Sequence, residues 1–138
     1  MLLQLTCAAI LTILCALIHG GGVVIIAHWL GLDRPRTKAG RLHPRNAAIL
    51  SAVALMLFSI HLVEIGVFAL FYLLVGALPD IELSLFFSAS AYTTLASPEA
   101  DFPHAWRLVG ALEGLVGFLL IGWSTAFFVT DMNKLLRP

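Results

Sequence analysis

Three ionisable residues lie inside long apolar stretches of the sequence, where an isolated charge is costly. His61 and Glu64 are three positions apart in one stretch, and Glu113 lies in another. Residues three apart share one face of a helix, so His61 and Glu64 can form a mutual hydrogen bond that fixes helix packing. Together with Glu113 they can instead bind a metal ion or relay protons, because intramembrane ionisable groups commonly serve function. The sequence leaves these interpretations open.

The first apolar stretch contributes two more candidate groups, His19 and His28. Both can ligate a metal, but we favour a bond from His19 to a neighbouring side chain and an interfacial position for His28. His19 is followed by three glycines at 20–22, which are unfavourable inside a helix. The glycines therefore predict either a kink or a close contact between helices.

The composition is that of a helical membrane protein. Of the 138 residues, 60% are hydrophobic and 12% are charged, and the formal net charge is zero. Long uncharged runs of this kind predict transmembrane helices in a lipid bilayer. The balanced charge argues against nucleic acid as a partner. The sequence has no nucleophile–base arrangement and no cofactor fingerprint, so we expect no enzyme activity, no catalytic residue and no cofactor.

Three apolar runs, at residues 2–31, 47–78 and 104–130, each predict a membrane-spanning helix. The first is about twice as long as a signal-peptide core and has no preceding basic residue, so we expect it to be retained. Residues 32–46 contain five cations and one acid. The positive-inside rule therefore predicts that this loop and the C-terminus are cytoplasmic, and that the N-terminus is outside.

The segment 80–107 is too short and too rich in hydroxyls to span a bilayer, yet it is too apolar for a solvated loop. Asp80 can cap a helix over about 81–93, which would be roughly 20 Å long. The hydrocarbon core is about 30 Å thick. We therefore expect a re-entrant helix that ends inside the membrane, where its C-terminal partial negative charge favours a cation. Residues 96–104 contain two prolines and are expected to return as extended chain.

Gly110, Gly114 and Gly117 share one face of the third predicted span, at positions i, i+4 and i+7. Small residues at this spacing allow two helix backbones to approach closely. We interpret them as a packing surface, and the alternative is a hinge for a gate.

The order of these elements resembles the pore module of the potassium-channel superfamily, in its small bacterial two-helix branch. The resemblance covers about residues 59–131. The residues that match are Phe87, Ser88, Tyr92-Thr93-Thr94-Leu95, Trp106-Arg107-Leu108 and the glycine-rich run that follows. It implies a homotetramer in the bacterial inner membrane, with the third helix lining a cavity. It also implies that monovalent cations such as potassium or sodium are the permeant ions.

The sequence departs from that family in the selectivity filter, where Gly-Tyr-Gly is replaced by Ala96-Ser97-Pro98 and followed by Glu99. Filter carbonyls replace the water shell of the ion, and glycine permits the backbone angles that aim them inward. Alanine and proline disfavour those angles, so we expect the outer carbonyl rings not to form. The filter-like residues are Thr93, Thr94, Leu95, Ala96, Ser97, Pro98 and Glu99. Of these, the threonines are expected to offer inner cation sites, and Ser97 and Glu99 a wider acidic mouth.

The sequence thus predicts an all-α membrane protein with three transmembrane helices, a re-entrant pore helix and a tetrameric, potassium-channel-like pore. Its parts are an N-terminal transmembrane helix at 1–31, a cytoplasmic basic loop at 32–46 and a pore module at 47–138. The predicted function is a cation channel with weak or altered potassium selectivity. The alternatives are a non-conducting scaffold derived from a channel, and the intramembrane metal or proton site described above.

Overall fold

The computed structural model describes residues 1–32, 44–95 and 102–136. These residues form four helices and no strand. The helices are α1 (Leu2–Trp29), α2 (Pro44–Leu74), α3 (Ile81–Tyr92) and α4 (Arg107–Leu136). Residues 33–43, which make up most of the predicted basic loop, lie outside the described part of the chain.

Three of the four helices are long and apolar enough to cross a membrane. The candidate spans are Leu2–Trp29, Pro44–Leu74 and Arg107–Asn133. By contrast, α3 has 12 residues and is about 18 Å long, which is well short of a bilayer core of about 30 Å. For the described residues, the prediction of an all-α chain with three helices apolar enough to span a membrane is confirmed.

The ends of the helices differ from the predicted runs because local capping stops them. Each of the first two helices is followed by a glycine with positive φ. These glycines are Gly31 after α1 and Gly76 after α2. After α2, the N–H of Ala77 donates to the Tyr72 carbonyl at 2.9 Å, and the N–H of Gly76 donates to Leu73 at 3.1 Å. This pair of bonds is a Schellman cap. The cap ends α2 at Leu74, although apolar residues continue to Leu78.

The short helix α3 begins at a well-formed N-cap. The Leu83 N–H donates to Oδ1 of Asp80 at 2.8 Å, and Glu82 lies in the first turn, where negative charge suits the helix dipole. The predicted role of Asp80 is therefore confirmed. The helix ends at Tyr92, one residue earlier than expected.

The long helices form a bundle in which α1 and α4 run parallel and α2 runs antiparallel to both. Oε1 of Gln4, near the start of α1, accepts a bond from the Leu108 N–H near the start of α4 at 3.2 Å. In the middle of the bundle, Gly22 of α1 lies against the side chain of Ile60 in α2. The helix α1 is continuous through its three glycines. Gly22 thus makes a close helix contact.

The glycine face of α4 lies along α3. A Cβ placed on Gly110 would be 3.2 Å from Cζ of Phe87, and one on Gly114 would be 3.1 Å from the Ala91 carbonyl oxygen. Gly117 lies directly against the backbone of Tyr92, the last residue of α3. Gly117 is ten residues into α4, or about 15 Å along its axis. The C-terminal end of α3 therefore lies beside α4 about a third of the way along that helix of 30 residues.

Candidate functional site

A buried polar network is centred on Glu64 of α2, whose side chain is fully buried. Its Oε1 lies 2.9 Å from Nδ1 of His19 in α1, and its Oε2 lies 3.0 Å from Nδ1 of His61. Tyr92, at the end of α3, donates its hydroxyl to the same Oε2. One carboxylate thus connects three helices.

The fourth helix completes this network through Ser124. Its Oγ lies 3.0 Å from Nε2 of His61 and 3.3 Å from Nε2 of His19. The carboxylate bridges the two Nδ1 atoms, and the hydroxyl bridges the two Nε2 atoms. His19, His61, Glu64 and Ser124 therefore close a ring of four hydrogen bonds, which we call the histidine–glutamate ring.

The number of protons in the histidine–glutamate ring follows from the number of its bonds. Each of the four bonds needs one proton. The two imidazoles, the carboxyl group and the hydroxyl together carry four exchangeable protons when their summed charge is zero. The neutral ring is either a carboxylate with one imidazolium, or a carboxylic acid with two neutral imidazoles. A fifth proton would place two donors opposite each other, and a missing proton would leave one bond unmade. The neutral ring is the arrangement that makes all four bonds without an uncompensated charge, which is costly in a buried apolar setting.

Helix register explains why these residues meet. His61 and Glu64 are one turn apart on α2, whereas His19 is 45 positions from Glu64 and reaches it because α1 and α2 are antiparallel. Close contact between α1 and α2 at Gly22 brings the facing side chains within hydrogen-bonding reach. The ring of His19 also packs against Trp123 of α4, with centroids 5.1 Å apart. The imidazole of His19 consequently lies beside that of His61, with ring centroids 5.3 Å apart.

Glu113 lies in a second network instead of joining His61 and Glu64. Its fully buried carboxylate accepts the Tyr72 hydroxyl at 2.6 Å and the Ser88 hydroxyl at 2.5 Å. The side chain of Arg107, at the start of α4, does not pair with Glu113 in this network. Its Nε–H donates to the Phe102 carbonyl at 3.2 Å. Each of these two buried glutamates thus accepts a hydrogen bond from a tyrosine of a different helix.

The filter-like residues begin directly after α3. Thr93, Thr94 and Leu95 are exposed, and Ala96, Ser97, Pro98 and Glu99 lie outside the described residues. The Thr93 hydroxyl donates to the Ala89 carbonyl at 2.7 Å. Thr94 has a φ of 60°, which is unusual for a residue with a branched side chain.

The end of α3 has the same Schellman bonds as the other two caps. The N–H of Leu95 donates to Ser90, and the N–H of Thr94 donates to Ala91, both at 2.9 Å. Thr94 occupies the position that glycine holds after α1 and α2. The carbonyls of Ser90 and Ala91 are consequently engaged within the helix end.

An open groove of 390 Å³ lies beside this cap, between α3 and α4. Its lining is apolar except for Thr94, and most of the lining residues are small. The seven residues are Ala91, Thr94, Gly110, Ala111, Gly114, Leu115 and Phe118, of which only the last two are large. The packing glycines therefore also shape a depression next to the exposed threonines.

Roles for Ser124 and Tyr72 and a bonding role for Tyr92 were not predicted from the sequence. Each is a hydroxyl-bearing residue in an apolar helix, and such hydroxyls need partners when they are buried. That signal marks them as polar groups but does not identify their partners. No protein-family model, no curated protein and no solved structure matches the chain, so the interpretation of the site depends on its own geometry.

Proposed function

We propose that the chain is one subunit of a cation-conducting membrane pore. The observation that supports this most directly is the position of α3. A 12-residue helix packed between two spanning helices ends about a third of the way along α4 and is followed by the exposed residues Thr93, Thr94 and Leu95. A chain that only needed to connect two spanning helices would not require a helix that packs between them and ends partway along their length.

The end of α3 suits a cation for two reasons. A helix C-terminus carries about half a negative elementary charge, which is poorly screened inside a bundle. The Thr93 hydroxyl gives its proton to Ala89, so its oxygen offers only lone pairs to other groups. The carbonyls of Ser90 and Ala91 are already bonded, so the cation ligands in this proposal are the oxygens of Thr93 and Thr94.

One copy of α3 cannot enclose a path, so the proposal includes symmetric assembly. The resemblance to potassium channels implies four copies around one axis, which would bring four sets of Thr93 and Thr94 together. The groove beside Thr94 offers room for a neighbouring copy or for a water-filled cavity. The five cations within residues 32–46 support an orientation with that loop and the C-terminus in the cytoplasm.

The proposed pore discriminates weakly between potassium and sodium. Ala96 and Pro98 replace the glycines whose backbone angles aim the filter carbonyls inward. A wider path that an ion crosses with part of its water shell is expected, and Glu99 would supply an acidic ring at its mouth.

Ion flux into liposomes containing the purified chain tests the proposal. We expect comparable potassium and sodium fluxes, a smaller flux of a large organic cation, and an assembled mass about four times the 14.9 kDa of one chain. Thr93→Val should reduce flux several-fold, because it removes the hydroxyl and keeps the branched shape. Thr6→Val is the matched control, since Thr6 is an exposed threonine on α1 with the same bond to the carbonyl four residues earlier.

Absence of flux in a folded, assembled protein over a range of pH and membrane potential would refute the pore. That result would leave the non-conducting scaffold as the better interpretation. Potassium flux far above sodium flux would keep the pore and refute the argument about Ala96 and Pro98.

A further inference from the structure

We propose that His19, His61 and Glu64 form a binding site for a divalent transition-metal ion of the zinc class, in the centre of the bundle. One nitrogen from each histidine and one carboxylate oxygen lie within 4.8 Å of one another. The ligands come from α1 and α2. This site is separate from the proposed pore, and its test requires no ion flux.

The donor set fits such an ion. Two imidazole nitrogens and a carboxylate oxygen are a common set for zinc and for other borderline divalent metals, whereas calcium and magnesium prefer oxygen alone. In a tetrahedral zinc site with bonds of about 2.0–2.1 Å, neighbouring ligand atoms are about 3.3 Å apart. The Nδ1 atoms of His19 and His61 lie 2.9 and 3.0 Å from the oxygens of Glu64. These contacts are to different oxygens, Oε1 for His19 and Oε2 for His61, so an ion bound to both nitrogens would take Glu64 through both oxygens, or through one of them after the carboxylate turns.

Ser124 lies where it would orient both imidazoles. A histidine that binds a metal through one nitrogen usually donates its other N–H to a fixed acceptor. Oγ of Ser124 lies within bonding distance of both Nε2 atoms, and a hydroxyl oxygen has two lone pairs. With both Nδ1 atoms on the metal, both Nε2–H groups can donate to Ser124. Its own proton can bond the carbonyl four residues earlier in α4.

Tyr92 offers a fourth ligand from α3. Its hydroxyl oxygen is 2.9 Å from Nδ1 of His61 and donates to Glu64, so it borders the space where the ion would bind. The side chain of His61 is 15% exposed, whereas those of His19 and Glu64 are fully buried. The ion would therefore enter past His61.

The proton balance of metal binding follows from the histidine–glutamate ring. The neutral ring holds four protons. The metal-bound form holds three, namely two Nε2–H protons and the Ser124 hydroxyl proton, so one proton is released for each ion. Tyr92 releases a second if it binds as a phenolate, which would make the site neutral overall. Binding should therefore tighten as the pH rises.

Calorimetric titration of the chelator-treated full chain with zinc, in detergent, tests the site. Repeating it in two buffers of different ionisation enthalpy gives the number of protons released. We expect one zinc ion per chain, release of one or two protons, and an unfolding temperature that rises with zinc concentration. His61→Gln should weaken binding at least tenfold, and Ser124→Ala should weaken it 10- to 100-fold without abolishing it.

His28→Gln is the matched control, because His28 is exposed on the same helix as His19. It should leave zinc affinity unchanged. Because His19→Gln or Glu64→Gln could prevent folding, the decisive comparison is between His28→Gln and the partly exposed His61→Gln. The proposal is overturned if the folded wild-type chain binds no zinc, or if His61→Gln binds as tightly as His28→Gln.

Discussion

Replacing Gly117 with alanine tests how closely α3 packs against α4. A Cβ at this position would lie 2.8 Å from the carbonyl carbon of Tyr92 and 2.9 Å from its Cδ1, with the carbonyl oxygen nearer still. Real Cβ atoms do not come this close to backbone. Since the obstructing atoms are mainly backbone, rotation of one side chain cannot relieve the clash, and the end of α3 must move.

Two other glycines of α4 provide graded controls. A Cβ on Gly114 would be 3.1 Å from the Ala91 carbonyl oxygen, which is tight, and a Cβ on Gly122 would meet nothing within 4 Å. Alanine in place of glycine stabilises a helix interior by about 1 kcal/mol. Overpacking typically costs about 1–3 kcal/mol, and an immovable backbone favours the upper part of that range.

These magnitudes predict the order of stability of the three variants, and they predict opposite signs for Gly122→Ala and Gly117→Ala. Gly122→Ala should stabilise the chain by up to about 1 kcal/mol, and Gly114→Ala should be nearly neutral. Gly117→Ala should destabilise it by about 1–2 kcal/mol, because the clash outweighs the helix gain. Thermal unfolding in detergent, followed by circular dichroism, measures the order. For a domain of this size, 1 kcal/mol shifts the midpoint by roughly 3–5 °C.

A Gly117→Ala variant that unfolds at or above the wild-type temperature would contradict the close packing of α3. Equal effects from Gly117→Ala and Gly122→Ala would do the same, because helix propensity alone treats the two positions alike. In either case the end of α3 would not be held against Gly117 of α4, and the main support for the proposed pore would be lost.

The same unfolding assay checks two further expectations. Thr94→Gly should stabilise the chain by about 1 kcal/mol, because Gly31 and Gly76 occupy the equivalent position with positive φ in the caps of α1 and α2; a loss of stability would contradict the cap. Tyr72→Phe should destabilise the chain by about 1–3 kcal/mol, because it removes a hydrogen bond from the buried carboxylate of Glu113 and leaves the packing volume nearly unchanged; an unchanged midpoint would show that this bond contributes little.

Much of the fold could be predicted from the chain because its causes are local. A long apolar run must form a helix in a bilayer, where backbone groups have no other partners. The bounds predicted for the short third helix, 81–93, agree closely with Ile81–Tyr92, since Asp80 marks its start. The end of α2 was harder to predict, because apolar residues continue past Gly76, and only the positive φ there decides that the helix stops.

The candidate site could be predicted only in part. The spacing of His61 and Glu64 placed them on one helix face, and the structure gives them a hydrogen bond of 3.0 Å. They were grouped with Glu113 only because all three are ionisable residues inside apolar stretches. In the structure, His19 joins the pair instead, and Glu113 bonds to Tyr72.

The apolar composition, the three long helices and the side chains that are neighbours within one helix could be predicted from the sequence. These follow from hydropathy and from a helical period that is the same in every protein. Which helix faces meet, and so which histidine reaches Glu64 and which tyrosine bonds each glutamate, is seen only in the folded bundle. Rotation and register between helices depend on many close contacts at once, such as those at Gly22 and Gly117. No spacing along a single helix encodes those contacts.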